Sequence, residues 1–86
     1  MNYNFPEPIS PVHKEGKCSN EFKVGVGEEL TTRLECERRC EQMESKCKYY
    51  FFSEKNLCIL YSKCENYTKG SYFGSSYAKI GNLNPL

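Results

Sequence analysis

The sequence predicts a small, disulfide-rich α+β module, with one helix packed on a short antiparallel sheet of about four or five strands. Three observations point there. The chain has only 86 residues, room for a single domain. It carries six cysteines, far above ordinary usage. One capped segment of helical periodicity lies among short runs of β-favouring residues.

The helical segment starts at Thr32. Thr32-Arg33-Leu34-Glu35 is a capping-box pattern, in which the Thr hydroxyl takes the amide of Glu35 and the Glu side chain reaches back. From Arg33 to about Glu44 there is neither Gly nor Pro. Leu34, Cys36, Cys40, Met43 and Cys47 recur near helical spacing and form one core-facing stripe. Glu35, Arg38, Arg39, Glu41 and Gln42 lie opposite, a solvated face. Glu35 precedes Arg39 by one turn, the favourable order for an ion pair of about 0.3–0.5 kcal/mol.

Strands surround the helix. Phe22, Val24 and Val26 alternate with Lys23, Gly25 and Gly27, which reads as a half-buried strand ending at a Gly turn. The run from Lys48 to Phe52 is aromatic and β-favouring. A polar turn ends at Asn56, and Leu57 to Tyr61 forms the next strand. After a polar stretch from Ser62 to Gly70, Ser71–Phe73 and Ser75–Ile80 read as a hairpin-like pair broken at Gly74.

Composition narrows the function. Twelve Lys and Arg against eleven acidic residues leave a net charge of +1, too balanced for a general nucleic-acid binder. Residues 1–37 carry −3 and residues 38–86 carry +4, a mild basic bias after Arg38. No apolar run approaches the roughly 18–20 residues of a membrane span, so no membrane insertion is expected. The acidic residues are all Glu, which excludes a calcium loop built on Asp.

The cysteines indicate an oxidising, extracellular compartment. A chain of this size buries only about 60–65% of its unfolded surface, and small secreted domains supplement such cores with disulfides. The even set Cys18, Cys36, Cys40, Cys47, Cys58 and Cys64 fits three bridges. Zinc is the competing use, but only Cys36 and Cys40 form a tight hook, and the single histidine, His13, lies in a Pro-rich flank. No metal and no cofactor are expected. Asn66-Tyr67-Thr68 is a glycosylation sequon consistent with a secretory route. No signal peptide is recognisable at the start.

Three of the four prolines (Pro6, Pro8, Pro11) fall in residues 1–16, and the fourth is Pro85. Residues 1–16 are therefore expected to be a linker, 17–81 the module, and 82–86 the remnant of a second linker. The arrangement suggests a unit excised from a longer secreted protein. Six cysteines allow 15 pairings. Cys36 and Cys40 sit one turn apart on the same helix face, so a bond between them would strain the helix. Excluding it removes 3 pairings and leaves 12.

The order of features resembles the PAN/apple module: a helix carrying C-x3-C, then Cys47 followed by Tyr50 and Phe52, then Cys58-Ile59-Leu60. The resemblance spans about Cys18 to Ile80. It implies the bridges Cys36–Cys58 and Cys40–Cys47, which pin the helix to the central sheet, and leaves Cys18–Cys64. The last pair departs from the six-cysteine apple modules of blood-coagulation zymogens, where the final cysteine closes the domain near its C-terminus. Nested loops of about 8, 23 and 47 residues would contribute about 2.5, 3.4 and 4.1 kcal/mol taken singly, with about 10 kcal/mol as a ceiling. The Tyr-rich, Trp-free sequence is most similar to apple modules of apicomplexan microneme adhesins, Eimeria-type ones in particular. That resemblance implies a tandem array of modules, secretion from micronemes and attachment to host cells.

Catalysis is not expected, because one His in a linker and no Asp give no base beside a nucleophile. The first functional expectation is adhesion to a host cell-surface glycan or glycoprotein. A sugar site wants an aromatic platform with polar groups around it. Tyr61, Tyr67, Tyr72, Phe73 and Tyr77 lie in the C-terminal third beside Lys63, Asn66, Lys69 and Lys79. Tyr67, Tyr72, Lys63 and Lys69 are the candidate ligand-binding set. A sulfated ligand would use Lys46, Lys48, Lys63 and Lys69. The second expectation is a docking or spacer module, partnered by neighbouring modules of the parent chain through Gly25-Val26-Gly27 or Tyr72-Phe73.

Overall fold

The computed structural model describes residues 11–12, 14–70 and 73–79. Strands β1 (Gly16–Cys18), β2 (Lys23–Glu29), β3 (Tyr49–Ser53), β4 (Leu57–Tyr61), β5 (Tyr67–Lys69) and β6 (Gly74–Ala78) accompany one helix, α1 (Arg33–Gln42). Two 3-10 turns, Asn20–Phe22 and Glu44–Lys46, complete the order. The protein is a small α+β fold with one helix, two antiparallel sheets and three disulfides.

The larger sheet runs β2-β4-β3-β6, and β1 pairs with β5 in a separate ribbon. The described strands thus number six in two sheets, where the sequence predicts about four or five in one. Alternation along β3 and β4 divides the core between the two faces of the larger sheet. Tyr50 and Cys58 face α1, packing with Cys36, Cys40 and Cys47. Phe51, Ile59 and Tyr61 face the other way, against Cys18 of β1. The sheet is therefore the middle layer, with α1 on one side and the β1–β5 ribbon on the other.

The helix begins as its sequence indicates. Thr32 is extended at the N-cap, and its Oγ1 accepts the Glu35 N–H at 3.1 Å. Glu35 reaches one residue further back than a standard capping box. Its Oε1 accepts from the Thr31 N–H at 2.9 Å and the Thr31 hydroxyl at 2.8 Å. Those bonds hold the Glu35 carboxyl below its ordinary pKa. The helix ends at Gln42, short of Glu44, whose backbone is left-handed at φ 55°. The reversal brings Cys47 to a Cα–Cα distance of 5.2 Å from Cys40.

Arg39 pairs with Glu28, with Nε 2.7 Å from the carboxylate, and so ties α1 to β2, while its charge also helps to lower the Glu35 pKa. Glu37, on no predicted core position, is fully buried. It lies 4.0 Å from Arg33 one turn earlier, and Arg33 Nη1 donates to the Tyr50 hydroxyl at 2.6 Å. Burial, reinforced by a hydrogen bond to Glu37, pushes the Tyr50 phenol pKa upward. A largely buried polar cluster of Arg33, Glu37 and Tyr50 thus sits between helix and sheet.

The alternation expected over Phe22–Gly27 breaks down. Between Val24, opposite Leu60, and Glu28, opposite Cys58, β2 advances four residues while β4 advances two. Gly25 takes φ 71° in this bulge, and Val26 is turned out to 82% exposure. Of the hairpin expected at the C-terminal end, β6 covers most of the second strand and pairs with β3, from Ser53–Gly74 to Tyr49–Ala78. Residues 71, 72 and 80 of that expectation lie outside the described residues.

Cys18–Cys64, Cys36–Cys58 and Cys40–Cys47 are the bridges, with Cα–Cα distances of 4.8, 5.6 and 5.2 Å. Ordered contacts begin before residue 17. The Val12 N–H donates to Ser76 O at 2.8 Å, and the Ser76 hydroxyl donates to Gly16 O at 2.7 Å. This strap along β6 places Lys14 and Glu15 beside the start of that strand.

Candidate functional site

The expected ligand-binding residues fall in different surroundings. Tyr67 and Lys69 alternate with Thr68 on β5, so they share one face of the ribbon, and Tyr67 is 45% exposed. Lys63 stands over the Phe22 ring, 5.8 Å from its centroid, and 3.9 Å from Glu65. With Lys48 it lines a shallow depression beside Tyr49. Tyr72 lies outside the described residues, as do His13, residues 1–10 and residues 80–86.

Two other aromatics of the C-terminal third pack into or against the core. Tyr61 is fully buried, so it is a core residue and no platform. Burial pushes its phenol pKa up to about 12. Among the described residues the Tyr61 hydroxyl finds no hydrogen-bond partner. Tyr77 stacks on Tyr50 with ring centroids 5.3 Å apart, and the Arg33 guanidinium lies 5.6 Å from its ring centroid.

Phe73 is different. Its ring is 52% exposed, and its backbone is left-handed at φ 60°, a conformation unfavourable for a bulky residue. The strand that follows explains why the chain accepts it. Gly74 enters β6 pressed against β3, where an added Cβ would come within 2.5 Å of Phe52 O and Ser53 Cα. The Glu54 N–H donates to the Phe73 carbonyl. The hairpin tip thereby clamps the residue at the mouth of the sheet.

Two adjoining clefts meet at this point. One, of about 330 Å³, is lined by Lys14, Glu15, Glu54, Phe73, Gly74 and Ser75. The other, of about 190 Å³, adds Phe52, Ser53 and Tyr77 to the shared wall of Glu54, Phe73, Gly74 and Ser75. Glu15 is also left-handed, at φ 56°, and its N–H donates to the Ser75 hydroxyl at 3.1 Å. Two non-glycine residues held in a strained conformation therefore border one cleft, a pattern associated with ligand sites.

The chemistry of the site is aromatic and charge-balanced. Glu15 and Glu54 supply acceptors, and Lys14 and Lys55 supply donors. The Lys55 ammonium lies 4.9 Å from the Phe73 ring centroid. Such a set can stack an apolar ring face and hold hydroxyl or amide groups beside it. Comparison with protein-family models, curated proteins and solved structures finds no match. All six cysteines are bridged. Among the described residues, no group of three or more His, Cys, Asp or Glu side chains could hold a metal ion.

Sequence reasoning included Phe73 among the aromatics but missed Glu15, Glu54 and Ser75. They are separated by tens of residues and converge only because β6 pairs with β3 and the strap lies along β6. The one local signal is the Phe73-Gly74 pair, a large aromatic joined to a residue that tolerates close backbone approach.

Proposed function

We propose that the chain is an extracellular adhesion module of PAN/apple type, binding a host cell-surface glycan or glycoprotein on behalf of a secreted multidomain protein. Phe73, half exposed between two clefts and ringed by Glu15, Glu54, Lys55 and Ser75, carries the reading. The three disulfides in a chain of 86 residues support the extracellular setting. Host-cell attachment and release from micronemes rest on the likeness to apicomplexan adhesins. The module binds its ligand and performs no catalysis on it.

The experiment is a glycan-array screen of the oxidised module beside its Phe73→Ala variant, with reduced protein as the unfolded control. Selective binding by the oxidised wild type, lost in the variant, is the expected result. Equal binding by both would overturn the site. A silent array would overturn the glycan ligand.

A second reading has one observation in its favour. Val26 projects from the bulge of β2, an edge strand, at 82% exposure. A docking or spacer module within a tandem array would use such an apolar point against a neighbour. Loss of self-association or array assembly in Val26→Lys is the corresponding test.

A further inference from the structure

The sequon Asn66-Tyr67-Thr68 is the only Asn-x-Ser/Thr triplet in the chain, and all three residues are exposed. Asn66 lies in the bend that follows Cys64 and precedes β5. The ladder with β1 begins only at Tyr67, opposite Cys18, and Thr68 sits opposite Lys17. The acceptor residue is thus outside the strand pairing, and the Thr68 side chain is at the surface. Both suit a triplet that an enzyme must grip in an extended form.

We infer that Asn66 is an N-glycosylation site. The inference rests on the extracellular reading above only for the secretory route. The donor is an oligosaccharide linked to a lipid pyrophosphate. The Asn66 amide nitrogen bonds to C1 of the first sugar as the C1–O bond to the pyrophosphate breaks. The lipid pyrophosphate leaves, and a base of the transferase takes the amide proton.

The attachment has a structural use. β5 is three residues long, exposed throughout, and lies at the edge of a two-stranded ribbon. An exposed edge strand of this kind is a template for unwanted strand pairing. A branched glycan rooted one residue before the strand would screen that edge. It would also stand beside Tyr67, which leaves the Phe73 clefts as the better place for an external ligand.

The test is secretion of the full chain from a eukaryotic cell behind a heterologous leader, followed by intact-mass measurement before and after amidase release of N-glycans. The expected result is added glycan mass that release removes, leaving Asn66 converted to the acid. The mass should be lost in Asn66→Gln and Thr68→Ala and retained in Thr68→Ser. Secreted wild-type chain at bare polypeptide mass would overturn the inference, as would glycan mass persisting in Asn66→Gln. If a variant is not secreted, peptide mapping of released wild-type protein decides alone, through the presence or absence of deamidation at residue 66. A bare Asn66 in a module whose array binding still depends on Phe73 would sink this inference and leave the adhesion reading standing.

Discussion

The Lys55 ammonium lies 4.9 Å from the centroid of the Phe73 ring, joining the β3–β4 hairpin tip to the residue that leads into β6. The contact shades part of a ring that is still half exposed. It also places a cation beside the Glu54 side of two adjoining clefts. A ligand seated there would meet an aromatic surface and charges of both signs.

Phe73→Ala should abolish ligand binding while shifting thermal stability little, because the ring is outside both core clusters. Tyr67→Ala provides the contrast, since it tests the platform first expected on β5. Binding lost in Tyr67→Ala and kept in Phe73→Ala would move the site to the β1–β5 ribbon. Titration of the ligand against both variants decides.

Tyr61→Phe should leave stability unchanged or raise it by about 1 kcal/mol. It removes a buried hydroxyl that has no hydrogen-bond partner among the described residues and keeps the ring. A thermal melt of the oxidised variant checks this. A loss of stability would reveal a partner for that oxygen.

Alkaline pH should destabilise the fold through the same residue. The phenol pKa of Tyr61 is raised from 10.0 to about 12 on folding, so its contribution is complete below pH 10.0 and is lost as pH rises towards about 12. Tyr50 acts in the same direction. Tyrosinate absorbance should therefore show a late class of tyrosines titrating together with unfolding.

Acid acts through Glu35. Its carboxyl pKa is lowered on folding, chiefly by the Thr31 hydroxyl, so the stabilisation is present above about pH 4.5 and lost as pH falls through the folded value. Thr31→Val should flatten this acid limb in pH-dependent melts. An unchanged limb would assign it to other carboxylates.

Gly74→Ala should destabilise the fold by about 1–3 kcal/mol, because the new methyl meets backbone atoms of Phe52 and Ser53, which cannot swing aside. Chemical denaturation measures the loss. Phe73 should lose its exposed placement in the same variant, so binding and stability would fall together.

Local signals were legible in the sequence, and convergent ones were not. Thr32 and Glu35 marked the helix start because a cap is written within four residues. The strands at Tyr49–Ser53 and Leu57–Tyr61 were legible from aromatic and branched residues. β5 went unread because Tyr67-Thr68-Lys69 is short and exposed throughout, so it lacks a buried alternation. Glu37 belongs to neither the core stripe nor the solvated face read from the sequence, and its burial depends on the packing of α1 on the sheet. Val26 followed an inward alternation that the bulge at Gly25 reversed. The clefts at Phe73 depend on a strap and a hairpin tip far apart in the chain, which periodicity does not connect.

The nesting of the bridges sets what survives a protease. Any single cut between Cys18 and Cys64 leaves two pieces still joined through the outer bridge. A cut after Cys64 has no such safeguard, and Lys69 offers an exposed residue there. β6 would then be held to β3 by hydrogen bonds and packing alone. Phe73 would no longer be covalently joined to the cleft walls supplied by Glu15 and Glu54, while most of the core stayed cross-linked. One nick in that short stretch would separate Phe73 from a scaffold that stays intact.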